Sequence, residues 1–337
     1  MRALVTGVAG FAGSHLAELL ISRGADVYGL VLPGGSLENL DGIREDPTRA
    51  DKLHLTEADI VHEKQLVRVI AETHPGQVYH LAAVSSVRRS LEDPGEAFQV
   101  NVVGTRNLLE AIRRARMNPR VLVVSSAEAY GESANLPRPL REEDQLVPVS
   151  PYGASKAAAE AVAWRYWNDN GLHIIRVRPF PHTGPRHSPQ FVFPDWARQL
   201  VEAAAGLRPL RLHVGDLGVR RDLSDVRDVV AAYVLALERG AGGCVYNVCS
   251  GRVYTLREVL EVLIALTRLD VEVVARPERL RVHDLKALTG TAQALYASTG
   301  WQATTPLSRT LEDLLSYWRE QLHPGGQSSE PPGKQVV

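Results

Sequence analysis

Arg2-Ala3-Leu4-Val5-Thr6-Gly7-Val8-Ala9-Gly10-Phe11-Ala12-Gly13 opens the chain, and the reading of this stretch decides the fold. Arg2–Thr6 is a short apolar run of strand length, and Phe11–Ser22 carries helical spacing closed by Gly24. The glycines between them permit a tight turn, close backbone approach to a pyrophosphate and tight helix–strand packing. Their spacing is G-x-x-G-x-x-G, not G-x-G-x-x-G, and a packing turn is the plain alternative. A position directly after the first strand favours a dinucleotide site.

Outward from this turn, β-branched runs alternate with helical patterns. Strands are expected at Asp26–Leu32, Lys52–Leu55, Gln77–Ala82, Arg120–Ser125 and Leu172–Val177. Helices are expected at Gln65–Thr73, Glu96–Arg116 and Ala154–Asn170. Such alternation predicts an α/β fold, a Rossmann-type doubly wound parallel sheet over residues 1–178. From Pro179 the texture changes to helical patterns at Pro194–Ala205, Val226–Leu237, Leu256–Thr267 and Leu307–Gln321, with one strand at Tyr246–Val248. Residues 179–323 therefore read as a smaller, mostly helical C-terminal substrate lobe that returns segments to the sheet. The Gly-, Ser- and Pro-rich stretch 324–337 reads as a disordered tail.

Bulk properties exclude several classes. A net charge of -1 over 337 residues argues against nucleic acid as partner. No apolar run is long enough to span a membrane. Cys244 and Cys249 read as reduced core residues, with neither a disulfide nor a metal site expected, and a cytoplasmic setting fits them. Arginine supplies 33 of the 38 basic residues. Lys156 is the only lysine between Lys64 and Lys286, so a compact, movable ammonium is wanted there.

Lys156 lies four residues after Tyr152, on the same helical face, and Ser125-Ser126 ends an upstream strand. A phenol titrates near 10 and needs a neighbouring cation to act as acid or base at neutral pH. Lys156 and a positive nicotinamide ring would both favour the phenolate, while a serine hydroxyl orients the substrate oxygen. Asp59-Ile60 follows the third strand, where a carboxylate suits an adenine amino group. Leu81, Ala82 and Ala83 follow the fourth, where small residues let the backbone run beside a cofactor.

Together with Asn101-Val102-Val103-Gly104-Thr105 and Arg221-Asp222-Leu223-Ser224-Asp225-Val226, these motifs resemble the extended short-chain dehydrogenase/reductase family over residues 1–320. The resemblance implies catalytic roles for Ser126, Tyr152 and Lys156 and a nucleotide-sugar substrate. It implies cofactor contacts at Gly7, Gly10, Phe11, Ala12, Asp59, Ile60 and Ala82, and self-association into a homodimer or tetramer through the helices at 96–116 and 154–170. Ser125–Gly131 and Phe180–Pro185 are most similar to the branch acting on GDP-mannose derivatives, which holds 4,6-dehydratases and 4-keto-6-deoxy reductases. In dehydratases the glutamate matching Glu128 removes the C5 proton; reductases also carry it. Asp195 replaces a basic residue of the dehydratases, Pro181 replaces a substrate-contacting asparagine, and Arg221 and Arg281 match diphosphate-pairing positions.

The second strand ends Leu30-Val31-Leu32-Pro33, with neither the acid that reads an NAD ribose nor an arginine for a 2′-phosphate, so NAD and NADP both stay open. The expectation is an NAD(P)-dependent enzyme, a reductase of a GDP-linked 4-keto-6-deoxy sugar, with the 4,6-dehydratase as rival. A non-catalytic nucleotide sensor is disfavoured because Tyr152 and Lys156 are both present.

Overall fold

The computed structural model describes residues 1–279 and 285–322. Seven strands form one parallel sheet: β1 (Arg2–Thr6), β2 (Asp26–Val31), β3 (Leu53–Glu57), β4 (Gln77–His80), β5 (Arg120–Val124), β6 (Ile174–Pro179) and β7 (Val245–Val248). Their spatial order is β7-β6-β5-β4-β1-β2-β3. The chain runs outward from β1 in one direction, then returns to place β4 on the other side of β1. That reversal is the switch point where doubly wound sheets bind ligands, beyond the carboxyl ends of the strands.

Side chains alternate between two cores because both faces of a parallel sheet are covered. Ala3, Val5, Leu122 and Val177 face one core with α1 (Phe11–Ser22) and α6 (Val226–Arg239). Leu4, Val121, Val123 and Ile174 face the other, with α2 (Glu63–Thr73), α3 (Gly104–Arg114) and α4 (Pro151–Asn170). The helix expected at Glu96–Arg116 is interrupted. A wide π-helical turn, Gln99–Val103, precedes α3 and buries Asn101, a distortion frequent near functional sites.

A third core joins α5 (Val192–Ala204), α7 (Leu256–Thr267) and α8 (Leu307–Leu322). This lobe also holds short strands that the sequence reading did not place. Arg211–Val214 pairs with Glu272–Ala275, and Arg220–Asp222 lies between Val253–Thr255 and Ala287–Leu288. Runs of two to four residues carry too little alternation to be told from loop. Among the described residues no helix is long and apolar enough to cross a membrane. Cys249 is buried as expected, but Cys244 is exposed and not a core residue. The tail 324–337 and Arg281 lie outside the described residues.

Candidate active site

The glycine turn sits at the switch point. Gly7 has φ +71°, and a Cβ there would stand 2.9 Å from the Ala82 backbone, so the strand end passes tightly against the segment after β4. A Cβ on Gly13 would stand 2.1 Å from the Gly7 carbonyl oxygen, which makes this glycine a packing requirement. Gly10 differs. Its φ is −73°, and its added Cβ would approach only the Gly7 oxygen, at 3.1 Å. Gly10 caps α1 without a side-chain hydrogen bond, and no acid stands in the first turn. The first amides of α1 thus face a cradle suited to an anion, and a dinucleotide pyrophosphate fits it.

The other expected cofactor residues distribute unevenly. The Ala82 amide donates to the Thr6 hydroxyl at 3.1 Å, and that hydroxyl meets His80 Nδ1 at 2.8 Å, so Leu81, Ala82 and Ala83 run beside the turn. Asp59 Oδ1 accepts from the Val61 amide at 3.0 Å within its own loop. The Ile60 side chain is buried against Gly104 of α3, so only its backbone is left for a ligand. The Phe11 ring stacks on His187, with centroids 4.2 Å apart. His187 packs in turn against Phe191 at the start of α5, with centroids 4.6 Å apart and the rings tilted by 31°. Arg186 donates to Glu18 at 2.7 Å and to His15 at 2.6 Å. The segment after β6 therefore clasps the glycine turn to the second lobe. Sequence reasoning did not assign this, because only the folded chain brings residues 182–187 to α1.

Ser126, Tyr152 and Lys156 converge at the ends of β5 and α4. Ser150 caps α4 by accepting from the Gly153 amide at 3.1 Å, with Pro151 in the first turn. The Ser126 hydroxyl accepts from the Glu128 amide at 3.2 Å and acts to lower the titration of the Tyr152 phenol. Lys156 is 6% exposed and its ammonium donates to the Val124 carbonyl at 2.8 Å. Burial pushes the phenol up to about 12, the nearby Glu128 charge pushes the same way, and the Ser126 bond opposes both. Burial likewise lowers the Lys156 ammonium to about 8. The Lys156 ammonium is turned to the Val124 carbonyl, and desolvation dominates the shifts of both groups.

Arg221 is buried on the Arg220–Asp222 strand and donates to the Leu285 carbonyl at 2.7 Å. Leu285 packs in the cluster with Ala127 and Tyr130, beneath the Ser126 turn. Asp195 is buried in the first turn of α5, where it accepts from Gln199 at 2.7 Å and pairs with Arg279.

Fold and site together define a dinucleotide-binding enzyme of the short-chain dehydrogenase/reductase type. The family model described as GDP-mannose 4,6 dehydratase matches residues 4–314, and the chain belongs to that family. It is 33% identical to the GDP-6-deoxy-D-mannose reductase of Pseudomonas aeruginosa over 95% of this chain and 98% of that protein. It is 34% identical to the UDP-glucose 4-epimerase of Mycolicibacterium smegmatis over 95% and 99%. Among solved structures, RMD from Pseudomonas aeruginosa complexed with NADPH superposes with a TM-score of 0.81 at 32% identity, covering 95% of this chain and 99% of that one.

Proposed function

We propose that this chain is a nicotinamide-dependent reductase of a GDP-linked 4-keto-6-deoxy-mannose. The observation that carries this reading is the convergence of Ser126, Tyr152 and Lys156 at the ends of β5 and α4. A keto reduction consumes a proton at the forming alkoxide, and a protonated phenol beside a serine hydroxyl is the group that supplies it. The end-to-end match with the GDP-6-deoxy-D-mannose reductase supports the substrate class.

When bound, reduced nicotinamide supplies a hydride to C4. The Gly7–Gly13 turn with the start of α1 would hold its pyrophosphate, and Asp59, Ile60 and the Leu81–Ala83 segment would line the adenosine and central portions. The Ser126 hydroxyl orients the keto oxygen, and Tyr152 gives that oxygen its proton. Lys156 anchors the ribose side and stabilises the tyrosinate left behind. Glu128, two residues past Ser126, positions the sugar. Arg221 and Arg281 are assigned to the diphosphate. Residues 1–178 serve as the dinucleotide-binding part and 179–323 as the substrate lobe. Leu91, Phe98 and Trp164 are exposed apolar side chains near α3 and α4, which supports pairing of two copies there; light scattering reads the resulting mass. A cytoplasmic location, where thiols stay reduced, belongs to the same reading.

The 4,6-dehydratase reading rests on the family model and Glu128. Dehydratases and epimerases return their nicotinamide to its starting state each cycle. A product assay separates the three. The expected result is one reduced nicotinamide consumed per GDP-4-keto-6-deoxy-mannose and no conversion of GDP-mannose. Steady formation of the 4-keto-6-deoxy product from GDP-mannose with catalytic oxidised cofactor would instead establish the dehydratase. Interconversion of UDP-glucose and UDP-galactose without net reductant would establish an epimerase.

A further inference from the structure

Behind the Ser126 turn lies a buried ionic network that the chemistry above does not use. Glu160 stands one turn beyond Lys156 on α4 and is 3% exposed; Arg178 on β6 is 5% exposed. Arg178 Nε and Nη2 donate to the two Glu160 carboxylate oxygens at 3.0 and 2.6 Å. Its Nη1 donates to the Tyr130 hydroxyl at 2.8 Å and to the Glu142 carbonyl at 2.9 Å. The guanidinium also lies 4.8 Å from the centre of the Tyr130 ring. The Tyr130 hydroxyl donates between Asn247 Oδ1 at 2.7 Å and the Arg141 carbonyl at 2.9 Å. The Asn247 side-chain amide donates to the Leu140 carbonyl at 3.2 Å, which turns its oxygen toward Tyr130. Arginine has no acceptor, so Arg178 donates in each of its bonds and the Tyr130 oxygen accepts from it.

A buried ion pair is a poor way to gain stability, since packed apolar side chains of the same volume do as well. Its value is in geometry: a guanidinium fork matches a carboxylate in one plane and at one distance. The groups joined here are the ones whose mutual placement the reaction needs. Tyr130 closes the short 3-10 turn Ala127–Tyr130 that begins at Ser126 and contains Glu128. Glu160 shares the α4 face of Tyr152 and Lys156. Arg178 is anchored in the sheet between them. We propose that Glu160, Arg178 and Tyr130 are positioning residues that set the distance and angle between the Ser126–Glu128 turn and the Tyr152–Lys156 face of α4. The proposal rests on the reading of Ser126, Tyr152 and Lys156 as the reacting cluster.

Tyr130→Phe keeps the ring beneath Arg178 and removes one hydroxyl, while Glu160→Gln keeps the shape and removes the charge. Turnover is measured with NADPH and GDP-4-keto-6-deoxy-mannose, per folded site counted by NADPH fluorescence titration, so misfolded molecules do not enter. Displacement of the turn by a few tenths of an ångström should lower kcat about tenfold in both variants, with NADPH affinity and KM changed less than about twofold. Arg178→Lys, which keeps the charge without the fork, should not rescue. Where Glu160→Gln yields no folded sites, the one-atom change Tyr130→Phe decides. Unchanged kcat per site in Tyr130→Phe overturns the proposal, and so does a loss confined to NADPH affinity. Tyr152→Phe is run alongside. Retained turnover in that variant defeats the reading of the cluster itself; lost turnover there with an intact Tyr130→Phe defeats only the positioning role.

Discussion

Gly153 packs against the Glu128 carbonyl so closely that a Cβ on Gly153 would stand 2.5 Å from that oxygen. The first turn of α4 and the turn carrying Ser126 therefore meet backbone to backbone. Gly153→Ala must push them apart, because neither backbone is free to yield. The expected result is a loss of stability of about 1–3 kcal/mol by chemical unfolding, and a fall in turnover of about tenfold or more per folded molecule. Wild-type turnover in Gly153→Ala would mean that the spacing of these two turns does not matter.

Two glycines of the nucleotide turn, Gly10 and Gly13, are predicted to fail differently. Gly13→Ala drives a methyl into the Gly7 carbonyl and should lower the melting temperature sharply, with or without cofactor. Gly10→Ala meets only a small overlap within the protein, so folding should survive while dinucleotide affinity drops about tenfold or more. Calorimetry of both variants, with NADPH titration of the folded one, reads the contrast. Equal melting losses in the two would show that the cradle at Gly10 is a packing feature.

Burial lowers Lys156 from its ordinary value of 10.5 to about 8. Between those values the unfolded chain binds a proton that the folded chain does not, so this residue's contribution to stability rises with pH across that window. Below about 8 both states are protonated, and the cost of the buried ammonium is present in full. Lys156→Met should therefore stabilise the cofactor-free protein most at neutral pH, with the advantage shrinking toward pH 10. Melting temperatures of the two proteins from pH 7 to 10 provide the check; a constant difference contradicts the buried-ammonium account.

Cofactor choice should be weak. β2 ends in Val31 and leads into Leu32-Pro33-Gly34-Gly35-Ser36, a stretch with neither carboxylate nor guanidinium. No side chain there repels a 2′-phosphate and none pairs with it. The ratio of kcat/KM for NADPH over NADH should fall within about tenfold, well short of what a fixed charge enforces. A ratio of a hundred or more would require a reading group elsewhere in the chain.

Much of the sheet was legible because strands buried on both faces are continuous apolar runs and helix starts carry local signals. Arg2–Thr6 and Phe11–Ser22 coincide with β1 and α1, and Leu256–Thr267 with α7. The Tyr152–Lys156 pair was legible because it is local, four residues on one helix. What escaped was long-range. Arg178 looks like an interruption in an apolar strand until Glu160 and Tyr130 fold around it. His187 has no evident task until Phe11 arrives from the other end of the chain. The desolvation of Tyr152 escaped for the same reason: sequence spacing gives the nearest charge, whereas desolvation depends on everything packed around the phenol.

The edge strand β7 comes from residues 245–248, and the helix covering α1 from residues 226–239. During synthesis the first six strands are made before either segment exists. Until then β6 has an open edge and Leu16, Leu20 and Val5 lack their cover. The nascent first half is thus an aggregation-exposed intermediate, and its completion waits on roughly seventy further residues, several seconds of translation at about 5–20 residues per second. Slow codons or a stalled ribosome between Pro179 and Val248 would lengthen that exposure.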